Sequence, residues 1–203
     1  MLGECVADFE ILTVCSGNIC RSPLAQLQLQ SALRDEPNVV VESAGVVAGE
    51  GDPVTPQTAA IALSLGLDAS EHRALYLTER LVQQADLLLA MSRSHRRAIV
   101  ELVPKKIPVT FTVREFARLS ASLTDQELAK SLIGTGDPSE RMKLLVARVR
   151  GQRGSVDQAE SPGDDDVTDP YGKGDEIYQK SVAELMPALE QVARVLRLHR
   201  LQP

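Results

Sequence analysis

Apolar positions along this chain fall into short runs separated by stretches of helical periodicity, and that alternation predicts most of the fold. Phe9–Val14 is a short apolar run rich in β-branched residues that ends at Cys15-Ser-Gly-Asn, as a buried strand entering a tight loop does. Ser22-Pro23 then opens Leu24–Leu33, whose apolar residues recur at helical spacing, with Ser suited to the N-cap and Pro to the first helical position. Val39–Val41 reads as a second strand and Gly45–Pro56 as a loop; Thr55-Pro56 starts a helix through Leu65, with Gly66 as its C-cap. Thr78 begins a short helix, Asp86–Met91 is a buried strand, Ser92–Leu102 a helix and Ile107–Phe111 a fourth strand. Strands alternating with helices predict an α/β fold, a three-layer α/β/α sandwich around a four-stranded parallel sheet. Ligands of such sheets bind outside the carboxyl ends of the strands, where Cys15–Arg21 falls.

Beyond Thr112 the alternation stops. Val113–Ser120, Thr124–Ile133 and Ser139–Val149 each suit a helix, with Gly134–Pro138 as an interruption. Arg150–Val167 is polar and reads as an exposed, mobile loop, and Asp175–Leu198 as a long amphipathic helix that Pro187 could kink. No internal repeat is present.

With 203 residues, 43% of them hydrophobic, the chain suits one compact domain over 1–203 rather than two. Twenty-two basic against 28 acidic residues give a formal charge of −6, which argues against general nucleic-acid or membrane-surface affinity while leaving room for a local anion site. Aromatic residues are only 3%, with no Trp, so base-stacking platforms are not expected. Apolar stretches such as Ala85–Met91 are too short for membrane insertion, and Met1–Glu10 lacks the pattern of a signal peptide, so a cytoplasmic location is expected. Three cysteines, two of them Cys15 and Cys20, suggest reduced thiols rather than a disulfide framework, with Cys5 incidental to the chemistry.

The chemistry concentrates in Cys15-Ser-Gly-Asn-Ile-Cys-Arg21-Ser22. A loop entering a helix N-terminus aims several backbone N–H groups at one point, and the helix dipole adds partial positive charge, which suits a tetrahedral dianion. Gly17 and Asn18 tolerate the left-handed backbone angles of such a nest. Arg21 offers two parallel donors to two phosphoryl oxygens, which Lys cannot. The same field favours the thiolate of Cys15, to which Ser22 could donate a hydrogen bond. A strand-end cysteine beside a mere turn is the plain alternative, which the placement between an apolar strand and a capped helix disfavours.

Val14-Cys-Ser-Gly-Asn-Ile-Cys-Arg-Ser-Pro23 resembles the phosphate-binding loop of the low-molecular-weight protein-tyrosine phosphatases. Glu42-Ser-Ala-Gly45, His72-Arg-Ala74, Leu87–Ser94 and Thr168-Asp-Pro-Tyr171 resemble further segments of that family in the same order. The likeness covers roughly residues 8–116 and 165–199. The resemblance implies that Cys15 forms a cysteinyl-phosphate, with Ser16, Gly17, Asn18, Ile19, Cys20, Arg21 and Ser22 forming the phosphate loop and Arg21 stabilising the transferring group. It implies that Asp169 protonates the leaving phenolate and then activates water, with an acidic pH optimum. Ser43 and His72 would support the loop with Asn18 and Ser22, and Tyr171 would line the slot beside a substrate ring. It implies no cofactor and no metal. The partner would be a phosphotyrosine-containing protein, with a bacterial tyrosine kinase of polysaccharide export as a candidate. In the family the cysteine matching Cys20 can pair with the nucleophile and protect it from over-oxidation.

Other fates exist for several of these residues. Asp169 could be a turn residue before Pro, Tyr171 a packing residue, His72 a surface histidine and Cys20 a space filler. Ser16 departs from the Leu common after the nucleophile, Leu75 stands where Arg is frequent, and Ser92 where Asp is frequent. Residues 117–164 are longer than in compact members, so an insertion precedes the acid loop; it could be a lid, a docking surface or a solvated excursion. Its basic residues Arg141, Lys143, Arg148 and Arg150 read as a solvated face. Two rivals to phosphotyrosine hydrolysis are an arsenate reductase of the same fold using an external thiol, and a non-catalytic phosphate-binding module. Asn18-Ile-Cys20 with Pro23 and the Asp169-Pro-Tyr171 loop match the phosphatase pattern and count against the first, reductases that relay a disulfide along the chain being disfavoured by the lack of a cysteine after Cys20. The presence of Cys15, Arg21 and Asp169 together counts against the second.

Overall fold

The computed structural model describes residues 9–36, 38–157 and 159–200. Cys5 and the segment read for a signal peptide fall largely outside this range. Four parallel strands, β1 (Phe9–Cys15), β2 (Val39–Gly45), β3 (Leu87–Ala90) and β4 (Thr110–Thr112), form one sheet in the order β2-β1-β3-β4. Alternation along β1 divides the core. Phe9 and Ile11 pack on one face with α1 (Arg21–Ala32), α5 (Val113–Ala121), α7 (Pro138–Arg150) and α8 (Asp175–Arg197). Leu12 and Val14 pack on the other with Leu81 and Val82 of α3 (Glu79–Gln84) and Ile99 of α4 (Arg93–Leu102). The three-layer expectation is met, and it leaves the C-terminal ends of β1 and β2 facing the loop that begins at Cys15.

Thr55 caps α2 (Pro56–Ser64) through Thr58 N–H, Thr78 caps α3 and Ser92 caps α4, as their sequences predict. Two boundaries differ. Ser22 is not the cap of α1: the helix begins at Arg21 with no side-chain cap, because the Ser22 hydroxyl is engaged by the sulfur of Cys15. Ile107 is not in the fourth strand. A 3₁₀ turn spans Pro104–Val109, where Pro108 has no N–H for a sheet ladder, and β4 starts at Thr110.

The segment 117–164 is tied into the core and is not merely solvated. Leu128 of α6 (Asp125–Lys130), Leu132, and Met142, Leu145 and Val149 of α7 are buried in the larger apolar cluster. Arg141, expected on a solvated face, is buried and donates to the carbonyls of His199, Leu132 and Thr135, joining α7 to the C-terminal turn. The expectation of an exposed loop at Arg150–Val167 holds only in part. Arg153 lies over the Phe111 ring and bonds Glu115 and the Thr110 carbonyl, Arg118 forms a bidentate pair with Asp165, and Val167 is buried. Among the described residues, no helix is long and apolar enough to cross a membrane.

Candidate active site

β1 delivers Cys15 to the C-terminal edge of the sheet, and the next five residues fold into a loop before α1 starts at Arg21. Asn18 is the one residue other than glycine with a left-handed backbone among those described, at φ 56°. That turn directs its own N–H onto Cys15 Sγ at 3.3 Å. The Ser22 hydroxyl donates to the same sulfur at 3.0 Å. Two donors on one buried sulfur stabilise negative charge there.

The Asn18 side chain, fully buried, holds this arrangement in one direction. Its amide donates to Ser22 Oγ at 2.9 Å and to Ser43 Oγ at 2.8 Å, and its carbonyl oxygen accepts from Leu75 N–H at 2.8 Å. Because Ser22 Oγ accepts from Asn18, its own proton is free to point at the sulfur. Ser43 passes its proton on to Gln26 at 2.6 Å. His72 Nε2 lies 2.7 Å from the backbone carbonyl oxygen of Asn18; burial moves the imidazole below its ordinary pKa, and the Asn18 contact opposes that.

The loop also rests on the end of β2. Val46 and Val47 donate to the carbonyls of Cys15 and Ser16, each at 3.0 Å. A Cβ on Gly45 would meet Ser16 O at 2.5 Å, Asn18 N at 2.8 Å and Gly17 C at 2.9 Å, so only glycine lets the strand approach this closely. The Ser-Ala-Gly segment thus has a steric reason.

Arg21 is buried. It donates from Nη1 to the Val167 carbonyl at 3.1 Å and pairs through Nη2 with Asp169 Oδ2 at 2.8 Å. Its Nε is buried with no partner among the described residues, a donor available to an anion. Asp169 is half exposed, and its Oδ1 accepts from Tyr171 N–H at 3.2 Å. Cys15, Ser16, Gly17, Ile19, Cys20, Arg21, Asp169 and Tyr171 line one cavity of about 240 Å³, joined by Val47, Gly49 and Asp52. Tyr171 is largely exposed at its mouth. Asn18, Ser22, Ser43 and His72 form the layer behind. All the expected site residues therefore meet, although Asp169 and Cys15 are far apart in sequence.

Several neighbours had not been anticipated. Tyr178 on α8 places its hydroxyl 3.6 Å from Cys20 Sγ and 3.1 Å from Thr55 Oγ1. His95 on α4 reaches Ser16 Oγ at 2.8 Å. Gln26 and Asp52 also join the site. None of these lies in a local motif; the spacing Ser92-x-x-His95 at a helix start is the one signal that could have flagged His95.

The chain matches the model of the family described as low molecular weight phosphotyrosine protein phosphatase over residues 10–129. It is 46% identical to a probable low molecular weight protein-tyrosine-phosphatase, EpsP, of Ralstonia solanacearum over 105 residues, 52% of this chain and 70% of that protein. It is 31% identical to a protein-arginine-phosphatase of Bacillus subtilis over 192 residues, 94% of this chain and 99% of that protein. The solved YwlE arginine phosphatase of Geobacillus stearothermophilus superposes with a TM-score of 0.64 at 28% identity, covering 93% of each chain. The phosphate-loop geometry and these matches agree: the chain is a phosphatase that belongs to the low molecular weight phosphotyrosine protein phosphatase family.

Proposed function

We propose that this enzyme hydrolyses phosphotyrosine in proteins through a cysteinyl-phosphate formed on Cys15. The observation that carries the reading is the convergence of Asn18 N–H and the Ser22 hydroxyl on Cys15 Sγ, with Arg21 and Asp169 lining the same cavity. In the first step the sulfur attacks phosphorus and the P–O bond to the aryl oxygen breaks, while the Asp169 carboxyl gives its proton to that oxygen. Arg21 and the loop N–H groups hold the phosphoryl oxygens as charge shifts onto them. In the second step Asp169 takes a proton from water, which attacks phosphorus, and the P–S bond breaks to return the thiolate and inorganic phosphate.

Asp169 is ion-paired with Arg21 here, so substrate binding exchanges that carboxylate for phosphoryl oxygens and frees the carboxyl to face the leaving group. Asn18, Ser22, Ser43 and His72 keep the loop in shape, and Tyr171 lies beside the substrate ring. Ile19, Val47 and Tyr171 give the cavity apolar walls that suit a phenyl ring. A phosphoprotein is the substrate class; a tyrosine kinase that carries its own phosphotyrosines is the partner we propose within it.

One observation favours a second reading. Similarity to an arginine phosphatase runs over 94% of the chain, and Asp52 joins Asp169 in the cavity lining, where carboxylates could accept from a guanidinium. Phosphate release from one peptide carrying phosphotyrosine and from the same peptide carrying phosphoarginine separates the two. A kcat/KM at least tenfold higher on phosphotyrosine is expected, and the reverse ranking would overturn the tyrosine assignment.

A further inference from the structure

Two of the chain's departures from its family's pattern, Ser16 and Ser92, are joined by one side chain. His95 is 4% exposed, with Nε2 2.8 Å from Ser16 Oγ and Nδ1 2.8 Å from Ser92 Oγ. Ser92 caps α4 by accepting from His95 N–H at 3.3 Å, and its Oγ lies 2.7 Å from Ser94 Oγ. A neutral imidazole carries one N–H and one lone pair, so it bridges two hydroxyls completely, donating to one and accepting from the other. Burial, and then the nearby Arg21 guanidinium, pull His95 down to a pKa of about 4 against an opposing effect of Asp169, so it is neutral at physiological pH.

The bond to Ser92 alone would be a helix cap. The bond to Ser16 has another consequence, because it reaches across the fold to the residue that follows the nucleophile. Ser16 is then held from two sides: its carbonyl by Val47 N–H at 3.0 Å, and its hydroxyl by His95. Ser16 also lines the cavity, so fixing its side chain fixes part of the pocket wall.

We propose that His95 is a positioning residue, tying Ser16 to the N-cap of α4 so that the turn from Cys15 to Asn18 keeps the shape that binds a phosphoryl group. The proposal rests on the phosphatase reading, and binding of inorganic phosphate tests it without turnover. The two ring contacts can be separated. The amide of His95→Asn lies near the place of Nδ1 and can keep the α4 contact, whereas that of His95→Gln reaches the place of Nε2 and can keep the contact to Ser16.

Inorganic phosphate affinity by calorimetry, kcat/KM on an aryl phosphate and thermal unfolding would be measured for both variants, for Ser16→Ala and for Ser16→Ala/His95→Asn. Loss of one neutral hydrogen bond predicts about a fivefold weaker phosphate affinity and a similar fall in kcat/KM for His95→Asn and for Ser16→Ala. The double variant should lose no more than either single one, and His95→Gln should stay within about twofold of native. A folded His95→Asn with native phosphate affinity, or losses that multiply in the double variant, would overturn the proposal. Should His95→Asn fail to fold, Ser16→Ala decides, and native phosphate affinity there overturns it equally. A native enzyme that binds phosphate yet hydrolyses no aryl phosphate would sink the phosphatase reading instead, and phosphate affinities of the variants would still decide the role of His95.

Discussion

Adding one methyl group at Gly45 should damage catalysis although that residue touches no substrate. The alanine Cβ would stand 2.5 Å from the Ser16 carbonyl oxygen and 2.8 Å from Asn18 N, both backbone atoms of the phosphate loop. Ordinary non-bonded contact needs about 3.5 Å, so either β2 or the loop must retreat by roughly 0.5–1 Å. The strand is held by β1 on one side and by Leu77 N–H on the Gly45 carbonyl, so the loop is the part with freedom to move. Overpacking of this kind costs about 1–3 kcal/mol of stability. A displacement of about 1 Å at reacting atoms costs on the order of 100-fold in rate, so kcat/KM of Gly45→Ala should fall by about 10- to 100-fold. The assay is steady-state hydrolysis of an aryl phosphate, with chemical denaturation to establish the folded fraction. Gly136→Ala is the control, since a Cβ there meets nothing within 4 Å and its backbone is not left-handed. Gly45→Ala with native kcat/KM and native stability would refute the claim that this strand end sets the loop.

Three further outcomes follow from the geometry. Arg141→Leu, which removes donors to three carbonyls, should lower unfolding free energy by about 3 kcal/mol in a denaturant titration while leaving kcat/KM of the folded enzyme unchanged. Asp169→Asn should reduce kcat/KM, which reports the step that expels the leaving group, by about 100-fold or more on phenyl phosphate and much less on a nitrophenyl ester, whose leaving group needs no proton; equal losses of kcat/KM on both would contradict its role as acid. His95 titrates near 4 in the folded protein against an ordinary 6.5, so the unfolded chain binds its proton first as pH falls. Its contribution to stability is therefore present above about 6.5 and is lost as pH drops toward 4, by up to about 3 kcal/mol, and His95→Asn should flatten that part of the stability–pH curve.

What could be read in advance was what local pattern encodes. The apolar runs at Phe9–Val14 and Asp86–Met91 and the caps at Thr55, Thr78 and Ser92 fixed the order of elements, because strands and helix starts carry local signatures. The phosphate loop was legible because a nest for a dianion needs particular residues at fixed spacing. Ser22 was misplaced as a cap because a Ser-Pro pair looks the same whether its hydroxyl serves the helix or a sulfur seven residues back. Arg141 was misread as solvated because nothing local announces that Leu132, Thr135 and His199 present carbonyls to it. His95 and Tyr178 escaped for the same reason, their partners lying 79 and 158 positions away.

Cys15 is the nucleophile on which the whole mechanism depends. Hydrolysis of an aryl phosphate across pH by the native enzyme and by Cys15→Ser tests it most directly, with phosphate binding confirming that the variant's loop is intact. Activity should peak below neutral pH in the native enzyme and vanish in Cys15→Ser. A Cys15→Ser enzyme that hydrolyses the ester at the native rate, or a folded, phosphate-binding native protein with no activity, would contradict it.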